Sequence, residues 1–329
     1  MTPRFVTRRA LLASTMLALA PSLLSKAAHA QGGWPTRGGR IVVPYPAGGA
    51  TDIMGRVAAE ALAQGTGHRF VVENKGGASG ALGSAEVERA APDGYTLLVA
   101  TPATHVTNAF LKTKLAYDPN NFEPVVLLSR SPLVLVAHPS LPANSVAELV
   151  ALAKREAGKL NYASSGTGAT SHLAPELFKK LAEVDIAHIP YRGAGPAMTD
   201  LVGGKVQIMF DNLQSALPQI EAGTVKVLGV TSAERLASHP KIPTIGETVK
   251  GYEALSFLAL VAPKGTPRPI IDTISRQIQT HLKAPALAAT LAGIGVEPVE
   301  STPESLATFL LGERAKWGAL IKERGLTAE

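Results

Sequence analysis

Two short runs hold the residue types from which a binding chemistry can be built. The first is Tyr45-Pro46-Ala47-Gly48-Gly49-Ala50-Thr51-Asp52; the second is Ser164-Ser165-Gly166-Thr167-Gly168-Ala169-Thr170-Ser171-His172. Each combines glycines, which let the backbone turn tightly and approach a ligand, with small hydroxyl residues. Rival chemistries fit less well. The second run lacks the third glycine of a dinucleotide fingerprint, and Asp185 falls before the next strand, not at its end, where a ribose-binding acid belongs. Neither run ends in the Gly-Lys-Ser/Thr that holds phosphate and magnesium, which argues against nucleotide hydrolysis. Ser164, Ser165 and Ser171 beside His172 suggest a serine hydrolase. There is no Gly-x-Ser-x-Gly elbow, however, and closeness along the chain does not put a histidine beside a nucleophile. His172 reads as a first-turn helix residue bonded to its own loop. The eight histidines have no metal-site spacing, and His188 reads as a packed strand residue. No metal, cofactor or catalytic residue is expected.

The elements that must position these runs repeat one logic. Ile41-Val42-Val43 is a β-branched strand stopped by Pro44 and Pro46, and Thr51 or Asp52 is placed to cap a helix with Ile53, Val57, Ala61 and Leu62 on its apolar face. Strands at 70–74 and 95–100 follow, with a glycine turn and a helix over 81–91 between them. Thr101-Pro102-Ala103-Thr104 then forms a candidate pocket rim. Ser145 and Glu148 make a capping box for a helix reaching Glu156. The second run lies between a strand from Leu160 and a helix whose apolar face is Leu173, Leu177, Phe178 and Leu181. Further strands are expected at 186–191, 206–211 and 225–231, with helices from 197, over 269–282 and over 303–324. Strand, glycine turn and helix N-terminus together aim unpaired N–H groups and a positive dipole end at one point, which is an anion site in outline. Strands alternating with helices imply parallel units whose ligand sites lie beyond the strand C-termini. Arg192 either reaches an acidic ligand or makes an ion pair. Asp211, ending a strand, either accepts a hydrogen bond from an amino or hydroxyl group of the ligand or caps the helix after it. Tyr45, between prolines, reads as a pocket wall.

The 329 residues, 46% hydrophobic and 18% charged, suit a globular chain with a substantial core. The net charge of +6 falls to +2 without the four cations of residues 1–30, which removes most of the electrostatic support for a nucleic-acid partner. There is no cysteine, hence no disulfide, thiolate nucleophile or lipid-attachment residue. Residues 1–30 read as a cleavable export signal: Arg4, Arg8 and Arg9, an apolar run from Ala10 to Leu24, and Ala28-His29-Ala30 for cleavage. Thr7-Arg8-Arg9-Ala10-Leu11-Leu12 also resembles a twin-arginine signal. The chain is expected to leave one lobe near Ser131–Ala137 and to return near Ser256–Ala262. That gives lobe I as 31–133 with 257–329 and lobe II as 134–256.

Val43-Pro44-Tyr45-Pro46-Ala47-Gly48-Gly49-Ala50-Thr51-Asp52 resembles the first binding loop of the Bug-type periplasmic solute-binding proteins, the receptors of tripartite tricarboxylate transporters. Asp93-Gly94-Tyr95-Thr96-Leu97-Leu98, Tyr162-Ala163-Ser164-Ser165-Gly166-x-Gly168 with His172-Leu173, and His188-Ile189-Pro190-Tyr191-Arg192-Gly193 follow in the family's order. Ala47 stands where a second proline is common, and Tyr45 where phenylalanine is frequent. The resemblance implies a type II periplasmic-binding-protein fold: two doubly wound α/β lobes joined by a two-crossing hinge and closing as a clamshell. It implies a non-catalytic, monomeric periplasmic receptor for a small carboxylate (dicarboxylate, tricarboxylate, acidic amino acid or aromatic acid), delivered to a membrane permease. It implies that the loops Tyr45–Thr51 and Ser164–Ser171 grip the carboxylate; with the residues at the other strand ends, the candidate ligand-binding residues are Tyr45, Ala47, Gly48, Gly49, Thr51, Asp52, Thr101, Ala103, Ser164, Ser165, Gly166, Gly168, Thr170, Ser171, His172, Arg192 and Asp211. The competing readings are an exported hydrolase or oxidoreductase using the same cleft, and a sensor that presents its closed form to a partner.

Overall fold

A computed structural model describes residues 33–191, 193–293 and 296–327. The export signal and Arg192 lie outside the described residues. The chain divides into two compact units, 1–36 and 37–329; only 33–36 of the first are described, and every strand and helix named here belongs to the second.

The strands are β1 (Gly39–Val43), β2 (Phe70–Asn74), β3 (Thr96–Ala100), β4 (Phe122–Ala137), β5 (Asn161–Ser164), β6 (Ala187–Pro190), β7 (Ile208–Asn212), β8 (Lys226–Val230), β9 (Leu255–Pro263) and β10 (Glu297–Pro298). The helices are α1 (Ala50–Thr66), α2 (Ala81–Glu88), α3 (Asn108–Leu111), α4 (Val146–Arg155), α5 (Thr170–Ala182), α6 (Ala194–Val202), α7 (Leu213–Glu221), α8 (Arg268–Leu282), α9 (Pro285–Gly293) and α10 (Pro303–Arg324). One mixed sheet runs β2-β1-β3-β9-β4-β7-β5-β6, with β8 and β10 also on β4. The βαβ neighbours are parallel as expected: β1 with β2 and β3, and β5 with β6 and β7. By contrast, β9 and β4 run antiparallel to their partners.

β4 is the axis of the sheet. Up to Pro132 it pairs with β9; from Leu133 it pairs with β7 and β8. In the sequence only its second half, in the apolar run Pro132-Leu133-Val134-Leu135-Val136-Ala137-His138-Pro139, reads as a buried strand, because Pro124 and the polar Ser129-Arg130-Ser131 interrupt the residues before it. Register shifts beside Val126 and Ser129 absorb those interruptions, and bulges of this kind tolerate a missing proline N–H. Beyond the switch, period-two alternation divides the side chains. Leu133, Leu135 and Ala137 join the large core, while Val134 and Val136 join a second core with Met198, Leu201, Met209 and Leu213.

Two helix faces differ from expectation. α1 buries Met54, Gly55, Ala58, Ala59 and Leu62, with Ile53 and Val57 only half-buried, because the smaller residues allow the helix closer to the sheet. In α5, Leu181 is exposed and Glu176 is buried instead. α6 starts at Ala194, three residues before the expected position, α7 is the helix expected after Asp211, and α3, α9 and β10 are additions. In α4 the Ser145 hydroxyl accepts from the Glu148 N–H, and the Glu148 carboxylate accepts from the N–H of Asn144, one residue before the usual capping-box partner.

Candidate functional site

A cavity of about 320 Å³ opens at the C-terminal ends of β1, β3, β5 and β7, where the ends of strands in an open α/β sheet place ligands. Its wall takes Tyr45, Ala50 and Thr51 after β1, and Thr101, Pro102 and Ala103 after β3. Ser165, Ala169, Thr170 and Ser171 follow β5, and Asp211 and Asn212 end β7. Ser131 and Leu133 of β4, Ser256–Leu258 of β9 and the first residue of α6, Ala194, complete it. The volume is at the small end of the range for small-molecule sites, roughly 300–1,000 Å³.

The first turns of α1 and α5 meet this cavity, and neither is capped by a side chain. The N-cap positions fall on Gly49 and Ala169, which have no side-chain acceptor. Thr51 and Asp52 are therefore the second and third helical residues, not caps, because Gly48 (φ +92°) makes the turn early enough for the helix to begin at Ala50. The Asp52 carboxylate folds back to accept from the Gly48 N–H at 3.0 Å, from Arg56 and from Asn74. Burial acts to raise its pKa, but Arg56 and these N–H groups outweigh it and hold Asp52 below the usual carboxylate range. Asp52 is thus a brace of the first loop. Asn74 also donates to the Tyr45 carbonyl at 3.1 Å, fixing the residue whose hydroxyl lies 3.4 Å from Thr101 Oγ1.

Of the residues singled out in the sequence, Tyr45, Thr51, Thr101, Ala103, Ser165, Thr170, Ser171 and Asp211 line the cavity together. Ala47, Gly48, Gly49, Gly166 and Gly168 shape the two loops without lining it. Ser164 and His172 are buried beneath the second loop. Sequence reasoning missed Ser131 and Ser256, which face each other across the β4–β9 ladder. The signal was present in the two expected lobe crossings, both of which include these positions.

The second loop rests on a hydrogen-bonded stack. Ser171 Oγ accepts from the Ser165 N–H at 3.0 Å and lies 2.8 Å from Ser165 Oγ. His172 Nδ1 accepts from the Gly168 N–H at 3.0 Å, as its first-turn position suggested. The His172 ring stacks on His188 at 4.1 Å, and His188 in turn on Tyr162 at 4.9 Å. Ser164 Oγ lies 2.6 Å from His188 Nε2, yet Ser164 is fully buried and also accepts from the Gly166 N–H, so its oxygen is held inside the loop and is not offered to the cavity. Burial pushes both histidines down to about 4.

This fixes the direction of an acid response. Between the ordinary histidine value of 6.5 and about 4, the unfolded chain takes up protons that the folded His172 refuses, so stability falls as pH drops through that window. For His172 the loss is on the order of 3 kcal/mol. Urea unfolding at pH 7 and pH 4.5 checks it; equal stabilities would mean that the ring is not held neutral, and His172→Gln is expected to flatten the limb.

Among the described lining residues none is lysine or arginine, and Asp211 is the one ionisable acid. Asp211 is 2% exposed; it accepts from the Asn212 N–H at 2.8 Å and from the Ser215 hydroxyl at 2.6 Å, and burial raises its pKa. Among the described residues no group of His, Cys, Asp and Glu could hold a metal ion, and no helix is long and apolar enough to cross a membrane.

An open α/β sheet with a cavity at its strand ends and two uncapped helix N-termini beside it is built to hold a small anion. The structure of periplasmic binding protein BugD superposes with a TM-score of 0.74 at 36% identity over 90% of this chain and 100% of that one. Rpa4515 of R. palustris with adipate superposes with a TM-score of 0.79 at 36% identity over 90% and 99%. Residues 54–326 match the family described as tripartite tricarboxylate transporter family receptor. BugT of Bordetella pertussis (strain Tohama I / ATCC BAA-589 / NCTC 13251) is 34% identical over 297 residues, 89% of this chain and 90% of the relative. The chain belongs to the tripartite tricarboxylate transporter receptor family and is a periplasmic solute-binding receptor.

Proposed function

We propose that this receptor closes on a small carboxylate-containing ligand and delivers it to a membrane permease of the tripartite tricarboxylate type. The observation that carries this reading is the meeting of two side-chain-uncapped helix N-termini, α1 and α5, at one cavity. Each supplies free first-turn N–H groups and a dipole contribution of roughly 0.3–1 kcal/mol toward an anion. The neighbour structure with adipate supports the carboxylate class. The clamshell lobes are 31–133 with 257–329 and 134–256. In support of closure, the Thr107 hydroxyl donates to the Gly168 carbonyl at 3.3 Å, tying the segment after β3 to the second loop.

The test is a thermal-shift scan of the mature protein against mono-, di- and tricarboxylates, acidic amino acids and aromatic acids, with NAD as control. A ligand at a hundred times its dissociation constant adds about 2.7 kcal/mol. The expected result is a shift confined to carboxylates. No shift with any acid, after co-purified ligand is removed by unfolding and refolding, would overturn the reading.

A further inference from the structure

Asp211 is a carboxylate in the wall of a cavity that otherwise suits anions, and nothing in the grip of the helix N-termini requires it. It is 2% exposed, and among the described residues it has no cationic partner. A buried carboxylate without a counter-charge costs free energy unless hydrogen bonds satisfy it. An ionised carboxylate offers about four acceptor positions. The Asn212 N–H and the Ser215 hydroxyl take two of them, one on each oxygen. Asp211 does not cap α7, whose N-cap is Asn212 with no side-chain bond, and these two contacts use only half of what the carboxylate can accept.

Asp211 also borders a second cavity. A groove of about 390 Å³ lies between α6 and α7, and Asp211 and Ala194 belong to the walls of both spaces. Met198 and Val202 give the groove an apolar side; Thr199, Ser215 and Gln219 give it a polar one. A ligand whose carboxylate sits at the N-termini of α1 and α5 passes Asp211 before it enters this groove. A second carboxylate placed beside Asp211 meets like charge, whereas an amino or hydroxyl group meets a free acceptor.

We propose that Asp211 is the specificity-determining residue of the site, accepting a hydrogen bond from an amino or hydroxyl group of the ligand, and that the groove between α6 and α7 takes the ligand beyond that group. The inference rests on the carboxylate-receptor reading and names its ligand class: an amino- or hydroxy-carboxylic acid with a chain extending past the donor.

The experiment is titration calorimetry at pH 7 on protein freed of co-purified ligand. The probes are hexanoate, adipate, and hexanoates carrying one hydroxyl or one amino group at each carbon in turn. The wild-type protein is expected to bind at least one donor-bearing acid about tenfold or more tightly than hexanoate and adipate. Asp211→Asn keeps an oxygen for the Asn212 N–H. It is expected to erase that preference and to leave hexanoate within about threefold of wild type. Thr199→Trp, at an exposed position in the groove wall, is expected to weaken an eight-carbon donor-bearing acid about tenfold and a four-carbon one by less than about threefold. Adipate as the tightest wild-type ligand would overturn the proposal while the receptor reading stands. So would an Asp211→Asn variant that weakens hexanoate as much as the donor-bearing acids, since Asp211 would then serve only to brace α7. Equal effects of Thr199→Trp on short and long acids would overturn the groove assignment, and binding of no acid at all would defeat the receptor reading itself.

Discussion

Replacing Glu176 by glutamine is expected to cost about 3–5 kcal/mol of folding stability, the amount set by leaving a buried charge without its partner. Glu176 is 3% exposed. Its carboxylate accepts from Tyr162 Oη at 2.8 Å, from Lys179 Nζ at 2.7 Å and from Arg324 Nε at 2.9 Å, and Lys179 is itself buried. The neutral amide leaves the Lys179 ammonium in the interior with no opposite charge. Arg324 is a third exposed and turns to water, so Arg324→Gln is expected to cost only about 1 kcal/mol. Urea unfolding of the two variants checks the ordering; a Glu176→Gln loss below about 1 kcal/mol would show that the cluster is dispensable. The effect has its own pH signature. Burial acts to raise the Glu176 pKa, but Lys179, Tyr162 and Arg324 outweigh it and bring it below the ordinary 4.5. Its contribution is therefore complete above that value and lost as pH falls through the lower folded one. This window lies below the one in which His172 begins to act.

Valine at Gly168 is expected to weaken ligand binding roughly a thousandfold, the equivalent of about 4 kcal/mol. Two costs add. Gly168 has φ +83°, which a β-branched residue adopts only with strain of about 1–3 kcal/mol. A Cβ there would also stand 2.6 Å from Leu111 Cδ1, and overpacking of this kind costs about 1–3 kcal/mol more. The loop can avoid both by leaving its position, but it then releases the Gly168 N–H bond to His172 and the carbonyl bond to Thr107. The first turn of α5 is no longer held at the cavity. Calorimetry against the tightest carboxylate checks the result, with melting temperature as the measure of folding. Wild-type affinity would mean that the second loop does not grip the ligand.

What the sequence reveals and what it hides divides along physical lines. The two glycine loops are legible because glycine, hydroxyl residues and a helix start are neighbours in the chain. The role of His172 is legible for the same reason, since its partner Gly168 is four residues away. Asp52 misleads because its type and place suit an N-cap, while its true partners, Gly48, Arg56 and Asn74, depend on how β2 packs beside β1. Ser131 and Ser256 stay hidden as site residues because only the β4–β9 pairing, across more than a hundred residues, brings them together. The extent of α7 is obscured by Pro218, which breaks the helical pattern in sequence yet sits inside the helix. The first half of β4 is obscured by Pro124 and the polar Ser129-Arg130-Ser131, which register shifts accommodate.

That shared strand also dictates when the protein can fold. β4 ends at Ala137, but its partners β7, β8 and β9 end at Asn212, Val230 and Pro263. β3, complete at Ala100, likewise waits for β9 to cover its second edge. The two parts of the sheet, β2-β1-β3 and β4-β7-β5-β6, therefore stay unjoined until about four-fifths of the chain has been made, and non-local pairing of this kind is slow. Domains with early, local pairings close up during synthesis. Here β9 comes late, and one edge of β3 and of β4 stays open until it does.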